Sequence, residues 1–111
     1  MNDFAVGSVA GTGAAINVSV GFQPRYIRVV NTAKNVVVEY IDGIGAGKGI
    51  KDQDQAVAEG GSASYTVGPQ FISSNGITKY AGSSSAPEGF TIGADTDLNV
   101  SGDTLYYVAH R

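Results

Sequence analysis

The sequence predicts an all-β fold, an antiparallel β-sandwich or jelly-roll-like barrel of about seven to eight short strands. Three observations lead there. Apolar residues recur every second position rather than every third or fourth: in "AINVSV" (15–20), Ile16, Val18 and Val20 alternate with Asn17 and Ser19. β-Branched runs such as "VVVEYI" (36–41) are separated at short intervals by clusters of Gly, Ser and Asn. The best helical stretch, "KDQDQAVAE" (51–59), is a turn or two long with glycines close on both sides.

Each element follows in order. Residues 1–13 are small and glycine-rich, with Phe4 and Val6 as their sizeable apolar groups, and read as an extended N-terminal arm. Residues 14–111 then form a single domain. Its first strand is 15–20, and a second is "RYIRVVN" (25–31), where Ile27 and Val29 flank Arg28. "NTAKN" (31–35) is a hairpin loop leading into 36–41, whose continuous β-branching suits a central strand covered on both faces. A loop of some twenty residues, 42–62, follows. Further strands are expected at 64–67, 77–80, 89–93 and 105–110. Asn75-Gly76 predicts a type I′ turn joining "QFIS" to "ITKYA" as a hairpin. In the last strand, Tyr106, Val108 and His110 share one face and Leu105, Tyr107 and Ala109 the other, so both faces carry a ring.

Composition narrows the function. The chain has 111 residues, enough for one domain with an ordinary core. A net charge of −3, with seven Lys plus Arg and no basic stripe, argues against nucleic acid as partner. No apolar stretch approaches a membrane span, and the N-terminus lacks the basic and apolar regions of a signal peptide. With no cysteine, disulfides and thiolate metal sites are excluded, and oligomerisation is an alternative source of stability.

The motifs that carry chemistry are incomplete. In "GIGAGKG" (43–49), Lys48 is followed by Gly49 instead of Ser or Thr, and Asp42 stands where the first glycine of a phosphate loop belongs. Asp95, Asp97, Asn99 and Asp103 gather four oxygen groups in nine residues, as a hard cation prefers. Val100, however, takes the place of the glycine an EF-hand requires, so a polar turn is the favoured reading. His110 is the only imidazole and lies on a strand with no G-x-S-x-G elbow elsewhere. The sequence therefore predicts no enzyme, no cofactor and no metal.

Two stretches carry a resemblance. "GFQPRYIRVVN" (21–31) leads into a strand through Gly-Phe-x-Pro, and "EGFTIGADTDLNVSGDTLYYVAHR" (88–111) ends in an alternating aromatic strand. Together, through Gly21, Phe22, Pro24, Gly89, Phe90, Gly93, Asn99, Gly102, Tyr107 and Ala109, they resemble small virion proteins of tailed bacteriophages, most of all head decoration (cement) proteins. The match covers about a third of the chain and shares motifs with fibre-tip domains. It implies a β-sandwich commonly assembled as a homotrimer, synthesised in the host cytoplasm and added to the capsid surface. The implied partner is the major capsid protein, bridged without chemistry by shape, loop ordering and avidity. The alternative is a receptor- or carbohydrate-binding module of a tail fibre. The chain starts at its own Met and ends on a strand, with no trimerising stalk, and on that ground the capsid is preferred. The residues expected to touch the partner are Phe4 and Val6 on the arm, Ile44, Lys48 and Ile50 on the glycine-rich loop, and Tyr106 on the last strand.

Overall fold

The computed structural model describes residues 3–53 and 68–111. Among these, every regular element is a strand: β1 (Phe4–Ala10), β2 (Ile16–Ser19), β3 (Tyr26–Asn31), β4 (Val36–Ile41), β5 (Lys48–Gln53), β6 (Gly68–Tyr80), β7 (Gly89–Ile92) and β8 (Thr104–His110). All pairings are antiparallel, in one sheet of order β1-β8-β3-β4-β5-β6-β7-β2. The all-β class with eight strands agrees with the sequence. The two layers of a sandwich are supplied by one sheet folded over on itself as a half-barrel.

Chain geometry requires that curl. β1 and β2 are the two edges of the sheet, yet Ala10 and Ile16 are joined by five residues. Such a link reaches about 20 Å at most, whereas eight flat strands would hold their edges roughly 34 Å apart. The curl brings β7 over β8, where Phe90 meets Tyr107 edge-on with ring centroids 5.4 Å apart. The trough is filled from almost every strand: Val18, Ile27, Val29, Val36, Val38, Tyr40, Ile77, Phe90, Ile92, Leu105 and Ala109 are buried. Phe22, on the link from β2 to β3, closes one end, with the Arg111 guanidinium 5.8 Å from its ring centroid. The barrel remains open between its edges, since no Cα of β1 lies within 8 Å of one in β2.

Four expectations change. The segment expected as an arm contains a strand: β1 pairs with β8 along its whole length, from Phe4 opposite His110 to Ala10 opposite Thr104. Alternation within it was masked by small residues. Ala5, Gly7 and Val9 face inward, and Gly7 is small because the Tyr107 ring occupies the space a Cβ would need. The segment 42–62 contains β5, so the glycine-rich loop is a tight turn through Gly43, Gly45 and Gly47, all at positive φ, and Lys48 already belongs to a strand. Lys51–Gln53 are likewise strand rather than helix; the rest of that helical stretch and the strand at 64–67 lie outside the described residues.

The fourth change concerns the hairpin. Asn75 does take the expected left-handed conformation, at φ 59°. It bulges β6 instead of reversing it. Ile72 pairs with Gly49 and Ile77 with the adjacent Lys48, so residues 73–76 loop out of the ladder. The strand cannot reverse because both its sides are occupied, by β5 before and beyond the bulge and by β7 along Ile77–Tyr80. Gly93 N–H closes the bulge on the Gly76 carbonyl at 2.8 Å.

Candidate functional site

A half-buried antiparallel strand should alternate apolar inside with polar outside. Across six strands this one does not. The ladder aligns three outward rows. Phe4, His110, Tyr26 and Ile41 form the first. Val6, Val108, Arg28, Glu39, Ile50 and Phe71 form the second, and Ser8, Tyr106, Val30, Val37, Asp52 and Pro69 the third. Phe4 is 51% exposed, Val6 63%, Phe71 58%, Tyr106 48% and Ile41 49%. With strands about 4.8 Å apart, the rows cover on the order of 600 Å² once side-chain width is added. That approaches the roughly 800 Å² each partner contributes to a standard protein interface. Arg28, Glu39, Ser8, Asp52 and His110 interrupt the rows, and the apolar remainder is comparable with the largest patches on monomer surfaces, which are often functional.

The expected contact residues divide accordingly. Phe4, Val6, Ile50 and Tyr106 come together on this face, although they span 102 positions of sequence between Phe4 and Tyr106. Ile44 does not join them: it folds under the β4–β5 turn and packs against the core. Lys48 lies half-buried beneath Gly45, at the end of β5 away from the third row. Tyr26, Val30, Val37, Ile41, Phe71 and Val108 were missed. For Val37, Ile41 and Val108 the signal was present in the runs "VVVEYI" and "LYYVAH", which are apolar on both faces.

Two polar groups on the face hold each other. The Tyr26 hydroxyl donates to the Glu39 carboxylate, and burial, followed by the Glu39 hydrogen bond and charge, raises the phenol above its ordinary pKa. His110 lies between two rings, 4.7 Å from Phe4 and 6.2 Å from Tyr26 between centroids. At the rim, Asp42 binds Arg25 at 3.3 Å and also Lys79; the Lys79 hydrogen bond first, opposed by burial and helped by the Lys79 charge and then by Arg25, lowers the Asp42 pKa.

Behind the face, three buried polar groups fasten the loops. Asn31 donates to the Leu98 carbonyl at 2.8 Å and to Asp103 at 3.0 Å, while its oxygen accepts from Ala33 and Lys34 N–H. Asn99 accepts from Thr12 and Gly13 N–H at 2.9 and 3.1 Å and donates to the carbonyls of Ala14 and Gly93 at 2.7 and 3.0 Å. Both amides thereby use all their donors and both acceptor sites. Lys51, on the inner face of β5, binds both oxygens of Asp95 at 3.1 Å and Asp97 at 2.7 Å. Burial alone would lower the Lys51 pKa, but the hydrogen bonds and charges of Asp97 and Asp95 outweigh it and leave it raised.

The four oxygen groups of 95–103 therefore do not converge. Asp95 and Asp97 turn to Lys51, Asn99 to the β1–β2 link, and Asp103 to Asn31 and Lys34. Lys51 was the unforeseen member; a lysine in a stretch without apolar alternation gives no sign of facing inward.

Compared with known protein families, curated proteins and solved structures, the chain matches none.

Proposed function

We propose that this is a structural virion protein, a capsid decoration or cement protein that binds the outer surface of a phage head and stabilises it by bridging subunits of the major capsid protein. One observation supports the reading beyond the sequence resemblance: an outer face spanning β1 to β6, rich in exposed apolar residues and approaching the area a protein partner buries, on a scaffold whose loops are fastened from behind. Shape and desolvation supply the affinity, and the charges of Arg28, Glu39 and Asp52 provide register. Self-association multiplies weak individual contacts on a repeating lattice. The trimer implied by the resemblance is one arrangement; the edge of β1 favours another, argued below.

The test is addition of purified protein to capsids of the parent virion assembled without it. Binding that raises the temperature of capsid disruption is expected, together with loss of binding in Val108→Asp or Val37→Asp at unchanged protomer fold. Capsids that neither bind the protein nor gain heat resistance would overturn the reading.

A second reading, a receptor- or carbohydrate-binding module of a tail fibre, is favoured by the row of rings at Phe4, His110 and Tyr26 on the same face as exposed Tyr106. Tyr107 faces inward, so Tyr106 is the residue to change. Glycan binding abolished by Tyr106→Ala would favour this module over the capsid.

A further inference from the structure

Among the described residues, nothing guards the free edge of β1. Arg111 N–H donates to the Asp3 carbonyl at 2.9 Å and Gly11 N–H to that of Asp103 at 2.8 Å. Antiparallel hydrogen-bonding alternates residue by residue, so between these ends Ala5, Gly7 and Val9 direct their backbone groups at β8. Phe4, Val6, Ser8 and Ala10 direct theirs outward, and among the described residues nothing pairs with them. Edge strands are normally protected by charge, proline or brevity. This one is seven residues long and carries neither charge nor proline. β2, the opposite edge, has only four residues.

We propose that β1 pairs with β1 of a second copy, antiparallel about a two-fold axis through Gly7, making one continuous sheet from two half-barrels. In this register all four outward residues satisfy one another: Phe4 with Ala10 of the other copy, and Val6 with Ser8. Shifting by two residues in either direction leaves one of the four without a counterpart in the strand. Side-chain size agrees. Phe4 meets Ala10 and Val6 meets Ser8 on the outer face, large against small, and Ala5 meets Val9 on the inner face. Gly7 stands on the axis, where its inner side is already filled by Tyr107. Charge agrees as well. The ends brought together carry Asp3, bound to Arg111 at 3.5 Å, and Asp103, bound to Lys34 at 3.2 Å, so each carboxylate arrives with its own cation. The pairing also draws the exposed Phe4 and Val6 into a contact and joins the two outer faces into one. It is independent of what that face binds.

The experiment is sedimentation equilibrium on the isolated chain across a concentration series, with two edge variants. Ser8→Pro removes an N–H that the protomer itself does not use, and proline is tolerated at such edge positions. Val6→Lys alters a residue 63% exposed and sets two ammonium groups across the axis. The expected result is a mass of twice the protomer, with a dissociation constant raised at least about tenfold in either variant. The chain has no cysteine, so an equimolar mixture of Val6→Cys and Ser8→Cys should cross-link between copies on oxidation, while neither does so alone. A wild-type chain that stays monomeric, a mass of three protomers, a dimer unaffected by both edge variants, or cross-linking of Val6→Cys with itself would each overturn the proposal.

Discussion

Lys51→Met should be among the most costly single changes in the inner face of the sheet. Lys51 and Asp95 side chains are each only 10% exposed, and both Asp95 oxygens bind the ammonium group. Methionine fills the lysine stem's volume but leaves the carboxylate buried without its cation. Removing one partner of such a pair costs about 3–5 kcal/mol, which for a domain of this size lowers Tm by on the order of 15 °C. Asp97, 40% exposed, returns to water and adds little. Adding Asp95→Asn should recover part of the loss, because the amide oxygen still accepts the Asp97 and Leu98 N–H groups that Asp95 holds at 2.9 and 3.0 Å. Thermal and urea unfolding of the wild type, single variants and double variant give the coupling. A loss below about 1 kcal/mol for Lys51→Met, or no relief from Asp95→Asn, would refute the account. Alkali gives an independent reading. The folded-state pKa of Lys51 is raised, so its stabilisation is complete below the ordinary lysine value of 10.5 and is lost as pH climbs through the raised one. Lys51→Met should remove that part of the alkaline dependence.

Further outcomes follow from the other fastenings. Asn99→Asp keeps the shape but turns both amide donors into acceptors facing the Ala14 and Gly93 carbonyls, and should cost about 3 kcal/mol in urea unfolding. In acid, the Asp103 pKa is lowered by the Asn31 hydrogen bond first and Lys34 second, so its stabilisation is present above 3.8 and is lost as pH falls through the folded-state value. Asp103→Asn should flatten the acid limb of a stability–pH profile in that window. Tyr106→Ser, at a 48% exposed outward position, should change Tm by no more than about 2 °C while weakening whatever contact the outer face makes.

Period-two patterning was sufficient where strands carry large residues. β3 and β4 and the body of β8 fall where alternation puts them, and the Gly102 turn before β8 has the positive φ a glycine permits. β1 was hidden because its inward positions are Ala5, Gly7 and Val9, too small to mark a face until Tyr107 is seen covering one of them. β5 was hidden for a different reason: its inward positions are Gly49, Lys51 and Gln53, which read as a loop. Their partners, Asp95 and Asp97, come more than forty residues later. The same distance explains the candidate site. Phe4, Ile50 and Tyr106 could be picked out singly, but only strand order places them in adjacent rows and brings Phe71 beside Ile50.

By itself, then, the sequence determined the all-β class, the central strands and the surplus of apolar residues on both faces of β4 and β8. These are local properties, written in side-chain alternation and in backbone preferences of single residues. Tertiary structure alone decided that one sheet curls instead of two stacking, that the first residues form an edge strand, and that the outer rows line up into a face. Those depend on which strands are neighbours, and a short link between the two edges of an eight-stranded sheet leaves curling as the only geometry that closes.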